Sequence, residues 1–563
     1  MPVRAVRAHL AWLAAVALVA SGCQLLVEPP IEQLVNVCDD DDDCAPGGTC
    51  DGEHRLCVAR AAPDYALRVE VTPSSDPLGG TPLPMLFDLG RADEVGTPEL
   101  IVPVPALVEG RARLDGAPIA AEVTFTPRLS PGTRTRAFVS GSVSVRASAT
   151  TNGRVDFVTQ LSAGSYDVYV EPLSDWRRRL PPLYAVLEVP EGSGVSFDLP
   201  YRSEDLVEVR GVVRDPSGAS RAGLLVRAVD PVSGRTLSSV TSTDERGAFS
   251  LVMSRTVTSF AFRVRGDTTR PGDPSALFPR LTIDPSTLLP QPDGSFVLLV
   301  PSADRALRLE GTVELPPSLG QNRPAVGAQV RLRASQVSDP ETGLTGSLEL
   351  DLTTNESGRF AGFVLPGLYQ VEIVGAEEGA GILVDDFEVV PNPSNMILGQ
   401  VFTLPTRAIL GGTVQLADGE PVYGARLRAS ALGLPLDGAS VVRAATLNRS
   451  ATSSSGSMGE FRMPLDVGRY DLAVEMPRET RYAWTVQRDF GVGSTGAPLR
   501  RVLTVRAPHR IEASARFADG SPLRDAQVRF FAVDDTTGRL VQVGASTTDE
   551  DGRLVAYLPA ALE

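Results

Sequence analysis

The chain has no lysine, and all 53 of its basic residues are arginine. Schiff-base chemistry and lysine contacts to phosphate are therefore excluded, as are intramolecular Lys-Asn isopeptide cross-links. Histidine is almost as scarce: only His9, His54 and His509 occur, and no two share one of the repeats described below. A His-based zinc site or a Ser-His-Asp arrangement repeated along the chain cannot be built from that supply. Long apolar runs are also lacking. The stretch from Leu10 to Ala20 is too short for a hydrocarbon core of about 30 Å. Positive charge is in deficit, with a formal net charge of −16 and a pI near 4.9; an acidic surface repels phosphate backbones, so nucleic acid is not an expected partner. The arginine-only basicity, with abundant Ala, Gly and Pro, points to a GC-biased genome more than to selection for guanidinium chemistry. Carboxylates are plentiful enough for an acid-base pair, but those of the repeats fall in turns and on outward strand positions. No catalysis and no cofactor are expected.

One order of signals is written five times at a spacing of about a hundred residues. It opens at Glu109-Gly110, Arg210-Gly211, Glu310-Gly311, Gly411-Gly412 and, more weakly, Glu512-Ala513. That period exceeds the roughly 20 to 50 residues of a solenoid repeat, so each copy should be a domain with its own core. In the fourth copy the strand at Gly412 to Leu416 meets a turn at Asp418-Gly419, and Leu427 and Ala429 then alternate with Arg426 and Arg428. This period of two marks a half-buried strand. Tight turns follow at Asp244 to Gly247, Asn355 to Gly358 and Asp549 to Gly552, and the unit closes on hairpins such as Gly164-Ser165-Tyr166, Gly367-Leu368-Tyr369 and Gly468-Arg469-Tyr470. Short strands between regular turns, without helical periodicity, predict an all-β chain: a tandem array of about five β-sandwich domains.

The order GTV, G-x-PV-x-GA, T, G-x-F, LP-x-G-x-Y resembles the carboxypeptidase regulatory-like domain, a transthyretin-like sandwich of seven strands. The resemblance covers about 60 residues of each unit and implies a binding or structural accessory. The N-terminus carries a second resemblance. Arg4 and Arg7 precede the short apolar run as in a secretory signal, and Ala20-Ser21-Gly22-Cys23 is similar to a bacterial lipobox, which implies a lipidated Cys23 and a membrane tether. Gln24 after the cysteine is similar to the outer-membrane sorting pattern.

Removing Cys23 leaves Cys38, Cys44, Cys50 and Cys57, an even set suited to two disulfides in an oxidising compartment, with three pairings open. The block from Cys38 to Cys57 resembles the small Asp-rich disulfide modules of lipoproteins from myxobacteria and their relatives. Asp39 to Asp43 do not make a helix-loop-helix calcium site, because the positions for the turn glycine and the bidentate glutamate hold Cys44 and Cys50. No metal site is expected.

These readings divide the chain into a signal peptide (1–22), a lipid-anchored linker and Cys-rich module (23–64), a tail-like half repeat (65–107), and sandwiches at 108–205, 206–305, 306–407, 408–507 and 508–563. The half repeat looks like a tail without a core: Leu67 to Val71 matches Tyr166 to Val170, and Ile101 to Pro105 matches the strands before the other openings. The last copy has the opposite defect, stopping at Leu558 to Glu563 where Gly-x-Tyr should follow. A truncated chain with an unpaired sheet edge is the expectation favoured for it. Trp176 and Tyr184, and Tyr482 and Trp484, are the candidate ligand contacts, since exposed aromatics stack on sugar rings. The resulting expectation is a non-catalytic stalk, adhesin or scaffold, lipid-anchored at the outer membrane or cell surface and about 150 to 175 Å long as five beads in line. The alternative is an accessory that binds polysaccharide or peptide. Expected partners are the membrane, through the lipid, and an envelope or extracellular polysaccharide or protein.

Overall fold

A computed structural model describes residues 35–74, 84–128, 137–139, 143–147, 156–190, 192–266, 278, 280–284, 288, 291–301, 307–318, 321–339, 344–376, 379–390, 396–432, 444–493, 499–534 and 537–563. The elements are strands and short 3-10 turns, with no α-helix among the described residues. In the first copy seven strands run in chain order: Ala106–Leu114, Ala121–Pro127, Val143–Ala147, Phe157–Leu161, Gly164–Pro172, Leu183–Val189 and Val195–Tyr201. The third, second, fifth and sixth form one sheet in that order, and the fourth, first and seventh form the other. The seventh runs parallel to the first. The second, third and fourth copies repeat both orders.

The recurring residues now have physical reasons. The glycine of the opening motif lies opposite the aromatic residue of the fourth strand: Gly110 faces Phe157, Gly211 faces Phe249, and Gly311 faces Phe360. A Cβ on Gly110 would sit 1.8 Å from the Phe157 ring, so ring and glycine are one packing unit. The fifth copy pairs Ala513 with Leu554 instead, a smaller side chain over a larger one. The threonine or serine before the turn is buried and spans two strands. Thr354 Oγ1 accepts from Ala328 N and donates to Ala325 O, and Ser455 and Thr548 do the same in the next two copies. The turn asparagine and aspartates bond to their own backbone: Asn355 Oδ1 accepts from Ser357 N and Arg359 N, and Asp549 Oδ1 from Asp551 N and Arg553 N. The glycine that ends each such turn has a positive φ, +72° at Gly247 and +69° at Gly358, with a carbonyl where a Cβ would be. The closing tyrosines send their hydroxyls to the carbonyl four residues back, Tyr166 to Ser162, Tyr369 to Leu365 and Tyr470 to Asp466.

The largest departure from the expected architecture is at the ends. The fifth copy supplies four strands, His509–Phe517, Gln527–Val533, Leu540–Thr547 and Arg553–Leu558, and the half repeat supplies Ala66–Thr72, Met85–Arg91 and Glu99–Val102. Ala66–Thr72 pairs antiparallel with Gln527–Val533, as a fifth strand pairs with a second. Glu99–Val102 pairs parallel with His509–Phe517, as a seventh pairs with a first. Leu67, Val69, Val71 and Leu100 share one core with Val528, Phe530 and Leu554. Even the tyrosine bond is closed across the chain, from Tyr65 Oη to Pro559 O at 2.8 Å. The edge expected to stand unpaired is therefore covered, and 65–107 is the missing half of the fifth sandwich. Sequence reading treated the two defects separately, although they are complementary.

Neighbouring sandwiches meet in a constant sense, the sixth strand of one against the stretch between the second and fourth strands of the next. Arg280–Ile283 of the second copy pairs with Leu344–Thr353 of the third, so two sheets merge into one. Gly381–Val389 of the third pairs with Ala444–Leu447 of the fourth. Met85–Arg91, the sixth strand of the fifth sandwich, pairs with Ala137–Val139 of the first. Side chains and single backbone hydrogen bonds, such as Val240 N to Arg177 O, carry the other two junctions, described below. Five head-to-tail contacts that return to their start make a closed ring. The expected straight line of beads is corrected by these pairings, and so is the expectation of private interiors, since buried residues of the second and third copies form one continuous cluster.

Candidate functional site

The disulfide module pairs Cys38 with Cys50 and Cys44 with Cys57. Sulfurs of Cys38, Cys44 and Cys57 cluster within 4.8 Å, but each is in a disulfide and none is the thiolate that metal ligation needs. The acidic turn is occupied by its own chain. Asp41 accepts from Thr49 Oγ1 and Cys50 N, and Asp43 from the amides of Asp39 and Asp40; these bonds hold both carboxyls below the usual range. The module is docked, not free. Asn36 N donates to Thr480 O and Ala59 N to Pro508 O, while Asn36 Nδ2 donates to Cys57 O. It therefore rests where the fourth sandwich meets the fifth. Cys23 lies outside the described residues.

The candidate aromatics are placed at seams and core margins. Trp176 is half-buried against the core of the first sandwich, with Arg179 above its ring. Tyr184 is 41% exposed, stacks on Tyr169 at 5.1 Å, and reaches into the second copy, where its hydroxyl donates to Thr236 O and Arg235 covers its ring at 5.4 Å. Trp484 is partly buried against the cores of both the fourth and the fifth sandwiches. It also lines a cavity of about 250 Å³ with Pro46 and Pro559. Tyr482 packs on the fourth core, where burial pushes its hydroxyl up to about 12.

Buried charge is concentrated at the junctions. At the third-to-fourth seam Arg449 donates to Gly375 O, Ala376 O and Gly379 O, and to both oxygens of the fully buried Asp466. Arg407 meets the same carboxylate at 3.1 Å. At the fourth-to-fifth seam Arg539 holds Asp471, and Arg428 Nη2 donates to Gln542 Oε1. Glu563 N donates to Val486 O, and Arg488 N donates to Glu563 O. Asp156, inside the first sandwich, accepts from Ala112 N and Arg113. These carboxylates are held by arginine, an arrangement that ties elements together.

The first-to-second seam differs in sign. A cavity of about 290 Å³ there is lined by Arg177, Arg178, Arg227, Arg263 and Arg265, with no carboxylate among its lining residues. Arg227 lies directly opposite Arg263 across the antiparallel pair Leu224–Val229 and Ala261–Gly266. Burial, then the charges of Arg263, Arg265, Arg280 and Arg177, push the Arg227 guanidinium down to about 10. Arg263 also lines a second cavity of about 630 Å³ that continues over the merged sheet to Arg333 and Gln370. Sequence reading passed over Arg227 and Arg263. The alternation of Arg with Val marks them as outward, but only the register sets one against the other.

No family model matches this sequence, and no curated protein does. Solved structures similar to parts of it include a Streptococcal ancillary pilin, at 14% identity over 53% of this chain and 99% of that one with a TM-score of 0.22. The major pilin subunit BcpA of Bacillus cereus matches at 11% identity over 54% of this chain and 99% of that one, TM-score 0.14. The shaft pilin SpaA of Lactobacillus rhamnosus GG matches at 11% identity over 36% and 98%, TM-score 0.19. At these TM-scores none of the likenesses carries an argument about this chain.

Proposed function

We propose that the chain is a non-catalytic scaffold of the bacterial cell envelope, anchored through lipid on Cys23, whose closed set of sandwiches displays a surface to an extracellular polysaccharide or protein. The observation that carries this reading is where its buried charge goes: Arg449 spends its guanidinium on Asp466 and on three carbonyls of the neighbouring sandwich, joining domains in place of lining a reaction cleft. Two disulfides beside the proposed anchor suit an oxidising compartment, and a triacylated end would hold essentially permanently. Among the described residues no helix is long and apolar enough to cross a membrane. The test is fractionation of cells expressing wild type and Cys23→Ser, with radiolabelled palmitate and protease shaving of intact cells. Label and membrane association should both be lost in the variant, and the wild type should be shaved from the surface. A variant that stays with the membrane, or a wild type that resists shaving until cells are lysed, would overturn the reading.

A further inference from the structure

The arginine cavity between the first and second sandwiches is an expensive arrangement, since it gathers like charges with no carboxylate among its lining residues. Like charges directly opposed on neighbouring strands destabilise a sheet, yet Arg227 and Arg263 are so placed. Among the described residues, the nearby Glu171 is engaged by Arg177 at 2.8 Å and Glu349 by Arg280 and Arg333. Arg263 Nε and Ser242 Oγ are buried without a hydrogen-bond partner, and both residues line the cavity together with Thr241. A buried donor left unpaired costs free energy, so two at one site call for an acceptor. Planar guanidinium forks bind oxyanions in bidentate fashion, and hydroxyls add donors that a tetrahedral group can use. In a chain of net charge −16 a cavity lined by five arginines is not a solvated face.

We propose that this cavity binds a tetrahedral oxyanion, the phosphate or sulfate group of an anionic ester. Arg227 and Arg263, opposed on adjacent strands, line it together with Arg177 of the first sandwich and Ser242 of the second. The volume of about 290 Å³ suits one such group with the sugar or glycerol that carries it. The site does not depend on the scaffold reading, because it would bind its anion whether or not Cys23 is lipidated.

The test uses the chain from residue 24 onward, purified with its disulfides intact, in thermal melts and titration calorimetry against sodium phosphate, sodium sulfate, glycerol phosphate and a sulfated oligosaccharide. Sodium chloride at matched ionic strength is the reference. The expected result is a saturable rise in melting temperature with phosphate or sulfate that chloride does not produce. Tighter binding of the sulfated oligosaccharide would assign the ester to a glycan, and tighter binding of glycerol phosphate to a lipid headgroup. Arg227→Gln and Arg263→Gln should each weaken binding about tenfold or more. Arg227→Gln should also melt higher than wild type without anion, since it removes the opposed charge. Arg553→Gln, exposed at the start of a strand of the fifth sandwich, should change neither. No response beyond that to chloride, or an equal response in Arg227→Gln and wild type, would overturn the proposal.

Discussion

If the two ends of the chain share one sandwich, a cross-link between them forms inside a single molecule. Glu70 and Arg529 are direct partners in the register and are joined by an ion pair, 459 residues apart in sequence. Replacing both, as Glu70→Cys with Arg529→Cys, removes a surface pair of small value and sets two thiols on adjacent strands. Oxidation should then yield a monomer of altered mobility in denaturing gels, reverting with reductant. The loop-closure relation for a loop of that length gives about 6 kcal/mol of stabilisation as an upper bound. For one sandwich with a urea dependence of about 1 to 3 kcal/mol per molar, opening of the fifth sandwich should shift upward by about 2 to 6 M. Hydrogen exchange of Gln527–Val533 and Ala66–Thr72 reads that opening directly. Glu70→Cys with Arg426→Cys, on the corresponding strand of the fourth copy, is the control and should not cross-link within a monomer. Failure of the first pair to cross-link refutes the closure, and cross-linked dimers without linked monomer would mean that the ends close between chains.

Gly110→Ala should cost about 1 to 3 kcal/mol by overpacking against Phe157. Phe157→Leu, which imitates Leu554 over Ala513, should recover part of that loss in a double-mutant cycle from urea melts; strictly additive effects would contradict the unit. Arg449→Ala should destabilise by about 3 to 5 kcal/mol, because it strips Asp466 of a buried partner. Exchange at Ala380 and Gly381 should rise with it, and a loss under about 1 kcal/mol would contradict the bolt-like role. In the disulfide module, Asp41 and Asp43 have carboxyls lowered by their hydrogen bonds from an ordinary 3.8. Their contribution is fully present above that value and is lost as pH falls through the lower folded-state values. The amide shifts of Cys50, Asp39 and Asp40 should therefore titrate with midpoints below 3.8, and midpoints at or above it would refute the assignment.

The seven-strand unit was readable from sequence because its determinants are local: a turn aspartate bonding two residues on, a tyrosine reaching back four, alternation along a strand. The partner of the opening glycine was readable only as a repeated G-x-F, since its meaning is a cross-strand contact between Gly110 and Phe157. Closure was not readable, for the same reason carried further. Leu67 and Phe530 look like ordinary strand residues whichever strands they join, and alternation fixes which face is buried without naming the neighbour. Disulfide pairing was likewise beyond spacing. Cys50 and Cys57 are register partners on a hairpin, yet each bonds elsewhere. Trp484 was singled out for stacking on a ligand, and its place between two cores follows from a seam that no single copy encodes.

If Cys23 carries the proposed lipid, closure also reverses the order of distances from the membrane. In a straight array the fifth sandwich would be the outermost bead. With the strands Ala66–Thr72 and Gln527–Val533 paired and Asn36 bonded to Thr480, the fourth-to-fifth seam lies next to the N-terminal segment. Asn36 is thirteen residue steps from the proposed lipid on Cys23, a span of at most about 45 Å when fully extended. With the proposed lipid in place that seam would be kept near the lipid surface, and going round the ring in either direction would lead away from it. The arginine cavity lies between the first and second sandwiches and is separated from that seam by the fifth and first sandwiches on one side and by the fourth, third and second on the other. An anionic ester on a glycan can reach it from outside, whereas a headgroup of the proposed anchoring leaflet would have to reach past the fifth and first sandwiches. The two ligand arms of the binding experiment therefore also test how the ring stands on its tether.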